Sequence, residues 1–235
     1  MYRNVTRMAA IAGAIVLLGL AAASTAGAYS LRIPQVTIGS SSETTLQAYL
    51  NGVGESITVA TDQADVQVLT TDVSGNALFT LMLEIAGNAN GNAIGIYNAD
   101  QAIPTTFPVF PGSAGPGYFA VVSFQSGGNL VVNLFNSSAG LVSSNSYGGV
   151  NASAFGFYLS GPGGTFYSED GRNAGGAAQA LMFAGTGVNF GQWWMAWEDQ
   201  QAGDRDFNDA VLLLESVAPV PTQTKSWGGV KALYR

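Results

Sequence analysis

Apolar residues in this chain recur mostly in short runs that alternate with polar ones and stop at Gly, Asn, Ser or Pro, the pattern of strands and tight turns. One segment departs from it. SSETTLQAYLNG (41–52) has serines ahead of an acidic first turn, then Leu46, Tyr49 and Leu50 at helical spacing, then Gly52 as a stop, and predicts a short helix. ESITVATDQADVQVLTTDV (55–73) alternates and predicts a strand with Ile57, Val59, Val66 and Val68 on one side. ALFTLMLEIAG (77–87) is a more continuous apolar run and predicts a strand buried on both faces. GYFAVVSF and NLVVNLF predict a hairpin about QSGG (125–128).

Two segments echo each other. AIGIY (93–97) and AFGFY (154–158) both set a glycine between apolar residues and end in tyrosine. They read either as related strands in a pseudo-symmetric sandwich or as coincidence among glycine-rich strands. A mid-strand glycine marks a bulge or a close backbone approach in both cases. IPTTFPVFPGSAGPG (103–117) carries four prolines and is excluded as a central strand. It predicts a rigid surface crossover, or else a binding loop presenting Phe107 and Phe110.

The sharpest pattern is WWMAWEDQQAGDRDFNDAVLLLE (193–215). Period two sets Trp193, Met195, Trp197 and Asp199 on one side of a strand and Trp194, Ala196 and Glu198 on the other. QQAG turns the chain, and AVLLLE (210–215) returns as the last strand. The hairpin loop brings Glu198, Asp199, Asp204, Asp206, Asn208 and Asp209 toward one point, opposed only by Arg205. Two like charges about 4 Å apart repel by ~1 kcal/mol in water and ~4 kcal/mol at an effective dielectric of 20. Several such pairs would rival a domain's whole stability of roughly 5–15 kcal/mol. A divalent cation resolves the conflict. Ca²⁺ accepts six to eight carboxylate, amide and carbonyl oxygens in irregular geometry, whereas Mg²⁺ seldom takes an all-protein cage. The competing expectation is a solvated turn whose Asp and Asn side chains cap backbone N–H groups. Asp204, Asp206, Asn208 and Glu215 match the first, third, fifth and twelfth places of an EF-hand loop, but its glycine place holds Asp209 and strands replace the helices. The EF-hand is rejected and the ligand chemistry kept.

Composition narrows the class. The chain of 235 residues has no Cys and no His, which removes thiol nucleophiles, Ser-His-Asp machinery and histidine-bound zinc. Arg3 and Arg7, an apolar run over Met8–Ala23 and Ala26-Gly27-Ala28 form the pattern of a cleavable secretory signal peptide, residues 1–28. Without it six basic residues face fifteen acids, a net charge of −9, which argues against nucleic acid and anionic membranes as partners. The 47% hydrophobic content suits a packed β-rich protein rather than a disordered one.

GTFYSEDGRN (164–173) followed by WEDQQAGDRDFNDAVLLL resembles the domain-of-unknown-function family 4114. Its pattern of aromatic-Glu-Asp, a short gap and Gly-Asp-Arg-Asp-aromatic-Asn-Asp falls on Trp197, Glu198, Asp199 and Gly203 to Asp209. The resemblance is specific from Phe155 to Glu215 and weaker upstream. It implies an exported β-sandwich-like domain with presumed calcium binding and no known enzymatic activity. Two departures stand out: a histidine common in the family after the Tyr-Ser piece is missing from GGAAQALMFA, and the basic end SWGGVKALYR lacks a preceding membrane helix. Glu169, Asp170 and Asn173, in the other part of the motif, are expected at or beside the site.

The expected fold is all-β, a β-sandwich or jelly-roll-like architecture with one short N-terminal helix behind the signal peptide. Residues 29–150 form a β-rich part and 151–215 the acidic-hairpin domain, packed together as one sandwich, and 216–235 a linker and basic tail. The expected function is an exported, non-enzymatic, calcium-binding protein with a surface, matrix or adhesion role and no membrane insertion after signal cleavage. Its expected partner is a surface protein, a matrix protein or a glycan. The alternative is a carbohydrate-binding module in which Trp193, Trp194, Trp197, Phe107 and Phe110 stack on sugar rings. A two-carboxylate glycosidase is the remaining enzymatic class, with Glu84, Glu169 and Asp170 scattered along the chain.

Overall fold

The computed structural model describes residues 29–220 except 41, 73, 86 and 87. The expected signal peptide and most of the expected linker and basic tail lie outside the described residues. One helix, α1 (Leu46–Gly52), precedes thirteen strands: β1 (Leu69–Thr71), β2 (Asn76–Glu84), β3 (Ala93–Asn98), β4 (Thr106–Phe110), β5 (Phe119–Gln125), β6 (Asn129–Phe135), β7 (Leu141–Tyr147), β8 (Phe155–Gly161), β9 (Gly164–Tyr167), β10 (Ala180–Ala184), β11 (Trp193–Trp197), β12 (Ala210–Glu215) and β13 (Val217–Pro219). They form a β-sandwich of two antiparallel sheets. The larger runs β10-β11-β12-β2-β5-β6-β7; the smaller runs β13-β1-β8-β3-β4, with β9 also on β8. Each sheet draws strands from both sides of residue 150. Among the described residues no helix is long and apolar enough to cross a membrane.

Alternation along the strands builds the core. Phe79, Leu81, Val122, Val132 and Leu212 of the large sheet face Ile94, Ile96, Phe157 and Leu159 of the small one. A second apolar cluster covers the outer face of β10–β12. There Leu46 and Leu50 of α1, with Ile57 and Val59, pack on Leu181, Phe183, Trp194, Val211 and Leu213. Strands β11 and β12 are therefore buried on both faces, because α1 caps the side that the small sheet does not. The ALFTLMLE strand β2 is not: Ala77, Phe79 and Leu81 are buried, while Leu78 and Thr80 between them stay half-buried, and α1 reaches only the end of the strand, where the Tyr49 hydroxyl donates to the Met82 carbonyl at 3.1 Å.

Residues 55–68 depart from the predicted strand. They run as irregular chain touching the sheet through one bridge, Ala64 to Met182. Ile57 and Val59 reach the helix-covered cluster and Val66 the inter-sheet core, so the alternation serves two cores rather than one pleat. The helix cap is Thr45, whose hydroxyl accepts from the Ala48 N–H at 3.2 Å, rather than a serine. The proline-rich segment includes a strand after all. TFPVF is β4, an edge strand paired only with β3, where a proline's missing N–H breaks no ladder. Its Phe107 and Phe110 point inward, 2% and 1% exposed, so neither is presented by a loop. The start of the expected C-terminal linker is also a strand, β13, paired with β1.

The AIGIY/AFGFY echo has a structural basis. The two segments meet as β3 and β8, with Gly95 opposite Tyr158 and Tyr97 opposite Gly156. A Cβ on Gly95 would overlap the Tyr158 ring, and one on Gly156 would overlap the Tyr97 ring. Each glycine is the seat for the other strand's tyrosine, which only a residue without a side chain provides.

Candidate metal centre

The acidic hairpin forms as the pattern predicts. β11 pairs with β12 from Trp193↔Leu214 to Trp197↔Ala210, and residues 198–209 make the connection. Phe207 fixes that loop: it is fully buried in the helix-covered cluster. To plant it there the chain takes positive φ at Arg205 (60°) and Phe207 (54°), a region that residues with a Cβ seldom occupy. Gly39 packs against the Asp204 carbonyl, where a Cβ would overlap it, and its N–H donates to the Arg205 carbonyl at 2.9 Å. The Asn208 side chain donates to the Thr44 carbonyl at 2.9 Å, tying the loop to the start of α1. Gly203 leaves room for Oε1 of Glu198, which a Cβ there would strike.

This scaffold gathers the acids into two groups. Glu198, Asp199 and Asp209 each offer a carboxylate oxygen within 4.8 Å of the others, and so do Glu198, Asp204 and Asp206. Glu198 belongs to both. Glu198, Asp199 and Asp206 are 1%, 1% and 2% exposed, Asp209 is half-buried and Asp204 lies at the surface. Asn208 is buried; its bond to Thr44 uses Nδ2 and not the Oδ1 that a cation would take, and its backbone N–H donates to Asp206 Oδ1 at 3.2 Å.

Hydrogen bonds satisfy only part of this set. The Asp199 N–H donates to Asp209 Oδ2 at 2.7 Å, and the Asn92 side chain donates to Asp199 Oδ2 at 2.8 Å. Oε2 of Glu198, Oδ1 of Asp199 and Oδ2 of Asp206 are buried without a partner, as is Oδ1 of Asn92. Buried polar atoms are ordinarily paired, and an unpaired one costs about 1–3 kcal/mol, more when charged. No Lys or Arg pairs with these acids among the described residues, where the ion pairs are Arg32–Asp170 and Arg172–Glu169. Arg205 turns away, its guanidinium 5.5 Å above the Phe207 ring.

The electrostatics follow. Burial, then Asp209, Asp204 and Asp206, push Glu198 up to about 8, with the Arg205 backbone N–H offsetting a little. Burial pushes Asp209 up to about 7, with Asp199, Asp206 and Asp204 adding to it against the hydrogen bond from Asp199. Without a cation the pocket resists full ionisation at neutral pH.

Glu84 and Asn92 join the site without having been placed there by sequence reasoning. Glu84 ends β2 opposite Ala210; burial and the Asp199 charge raise it to about 7, and its Oε1 has no partner. Its place at the end of an apolar strand was the only signal. Glu169, Asp170 and Asn173 belong to neither carboxylate group. Glu169 accepts from the Tyr97 hydroxyl at 2.9 Å and pairs with Arg172, Asp170 pairs with Arg32, and Asn173 clamps its own loop through Tyr167 and Ala177. Trp193, Trp194 and Trp197 are 6%, 1% and 0% exposed, so none forms a sugar-stacking surface.

Around one Ca²⁺, oxygens bound at 2.3–2.6 Å lie no more than about 5 Å apart. Both groups meet that limit, and their donors are all hard oxygens. The fit is to a hard cation. No family model matches the chain, and no curated protein or solved structure matches it either.

Proposed function

We propose that this is an exported, non-enzymatic β-sandwich protein that binds calcium in the β11–β12 hairpin and works at a cell surface or in a matrix. The observation that carries the reading is the set of buried carboxylate oxygens on Glu198, Asp199 and Asp206 that no donor or cation in the described chain satisfies. Glu198, Asp199 and Asp209 would hold one ion. Asp204 and Asp206 would share Glu198 for a second, with Glu84 and Asn92 completing the shell beyond Asp199. Asn208 holds the loop through its Nδ2 and would offer its Oδ1 to the ion. The resemblance of the hairpin to the family 4114 pattern and the secretory leader support export into a calcium-rich setting.

Thermal unfolding in EGTA, in millimolar Ca²⁺ and in matched Mg²⁺ tests this. A ligand at 100 times its dissociation constant adds ~2.7 kcal/mol, which moves the midpoint of a protein this size by roughly 5–10 °C. A rise with Ca²⁺ and little with Mg²⁺ is expected. No rise with either would leave a protonated, capped turn and end the calcium reading.

A further inference from the structure

A second concavity lies on the outer face of the small sheet, where β7 of the large sheet rises beside β4. It encloses about 560 Å³, within the usual range for small-molecule sites. Its floor is the face that carries the glycine–tyrosine exchange. Tyr158 lies over Gly95, and Tyr167 stands opposite Tyr158 across the β8–β9 pair. Tyr147 closes the far wall, its hydroxyl 3.4 Å from the Pro108 carbonyl on β4. Tyr147 and Tyr167 are half-buried, with ring surface left to a ligand.

Between the rings lie hydroxyls and an amide. Ser160 and Thr165 share a 2.9 Å hydrogen bond at the surface, and Thr106, Ser143 and Asn145 also line the groove. None of the thirteen lining residues is charged, in a chain with fifteen acids. The contrast with another groove on this molecule is direct: that one, of about 420 Å³, has Asp65, Asp100 and Glu169 in its lining.

We propose that the tyrosine groove binds a neutral oligosaccharide. A pyranose presents an apolar C–H face and a rim of hydroxyls. Tyrosine rings match the first, and Ser, Thr, Asn and Tyr oxygens match the second. An ionic ligand would find no counter-charge here, and a purely apolar one would strand the hydroxyls that pave the floor. The site is distinct from the acidic hairpin, and its residues differ from the buried tryptophans.

Affinity electrophoresis of the purified protein through gels holding β-glucan, xylan, mannan or galactan, with polygalacturonate as the acidic counterpart, tests the proposal. Retardation by at least one neutral polymer and none by polygalacturonate is expected. Thr165→Glu places a charge in the groove at an exposed position and should weaken the dissociation constant for the retained polymer's hexasaccharide by about 10-fold or more. Tyr167→Ala should do the same while its calcium-dependent melting shift stays that of the unaltered protein. Tyr167 also meets Tyr97 edge-on at 5.2 Å, so Thr165→Glu decides the matter if Tyr167→Ala folds poorly. The proposal is overturned if no neutral polymer retards the protein, if only polygalacturonate does, or if Thr165→Glu binds like the unaltered chain. Self-association through this face without sugar retention would overturn it too. None of these outcomes depends on the calcium reading.

Discussion

The two ends of strand β11 each hold a buried glutamate, and the two are held in opposite ways. At the start of the strand, Glu55 receives four hydrogen bonds: Trp194 Nε1 at 2.8 Å and Asn189 Nδ2 at 2.6 Å on one oxygen, and the Thr186 N–H and hydroxyl, both at 2.6 Å, on the other. Burial works against ionising Glu55, but these donors outweigh it and hold its carboxyl below the usual value. At the far end, Glu198 is as buried, keeps one oxygen unpartnered, and faces other carboxylates. A buried acid is thus no mark of a metal site by itself. The mark is the accounting of its oxygens: Glu55 is complete within the chain, while the hairpin leaves buried carboxylate oxygens of Glu198, Asp199 and Asp206 without a partner among the described residues.

The strongest way to break this comparison is to remove the complete end. Glu55→Ala leaves the Trp194 and Thr186 donors without their acceptor and should cost on the order of 3–5 kcal/mol, equally in EGTA and in calcium. Denaturant unfolding in the two buffers measures it, and a loss confined to one buffer would tie Glu55 to the metal.

The pH dependence sharpens the contrast, because the two ends carry opposite signs. Glu198, Asp209 and Glu84 have folded values raised to about 8, 7 and 7. Between roughly pH 4 and 8 the folded state therefore binds more protons than the unfolded one. The stability of the metal-free protein should fall as pH rises through that window, by on the order of 3 kcal/mol after allowance for the half-exposed members. Glu55 acts the other way: its depressed value contributes stability above the ordinary glutamate range that is lost on acidification. Saturating Ca²⁺ should flatten the first slope, since the ion binds ionised carboxylates, and leave the second untouched. Melting midpoints from pH 3 to 8.5, with and without calcium, read both limbs. A metal-free protein that gains stability from pH 5 to 8 would contradict this picture of the hairpin.

Smaller effects separate the members of the hairpin. Asp206→Asn keeps shape and removes one buried charge. It should abolish most of the ~2.7 kcal/mol calcium stabilisation while changing the metal-free protein by less than about 1 kcal/mol. A large loss without calcium would mean instead that the carboxylate of Asp206 serves chiefly to cap Asn208. Asp204→Ala, at the surface, should only weaken the calcium dissociation constant by about 10-fold, as calorimetric titration would show.

Much of this arrangement was legible in the sequence, and the exceptions share a cause. Both strands of the hairpin, the QSGG hairpin and the short helix followed from local periodicity and turn residues, which act over a few positions. The six predicted ligand residues do lie in one loop, and five of them offer grouped carboxylates; the sixth, Asn208, also anchors the loop through its Nδ2. The proline-rich segment was misplaced because an edge position, which tolerates proline, is a property of the sheet and not of the segment. Residues 55–68 alternate without being a strand, because two separate cores accept their apolar side chains.

Sequence by itself determined the all-β fold class and the crowding of acids beside Trp197, since composition and period are local quantities. Tertiary structure alone decided which acids go unsatisfied. Glu84 reaches the site because β2 pairs with β12, and Asn92, just ahead of β3, because its side chain donates to Asp199 across 107 positions of chain. It also decided that Gly95 and Gly156 exchange tyrosines and that the tryptophans are core. Strand register and the covering of a sheet face are set by long-range packing, and no window of neighbouring residues contains them.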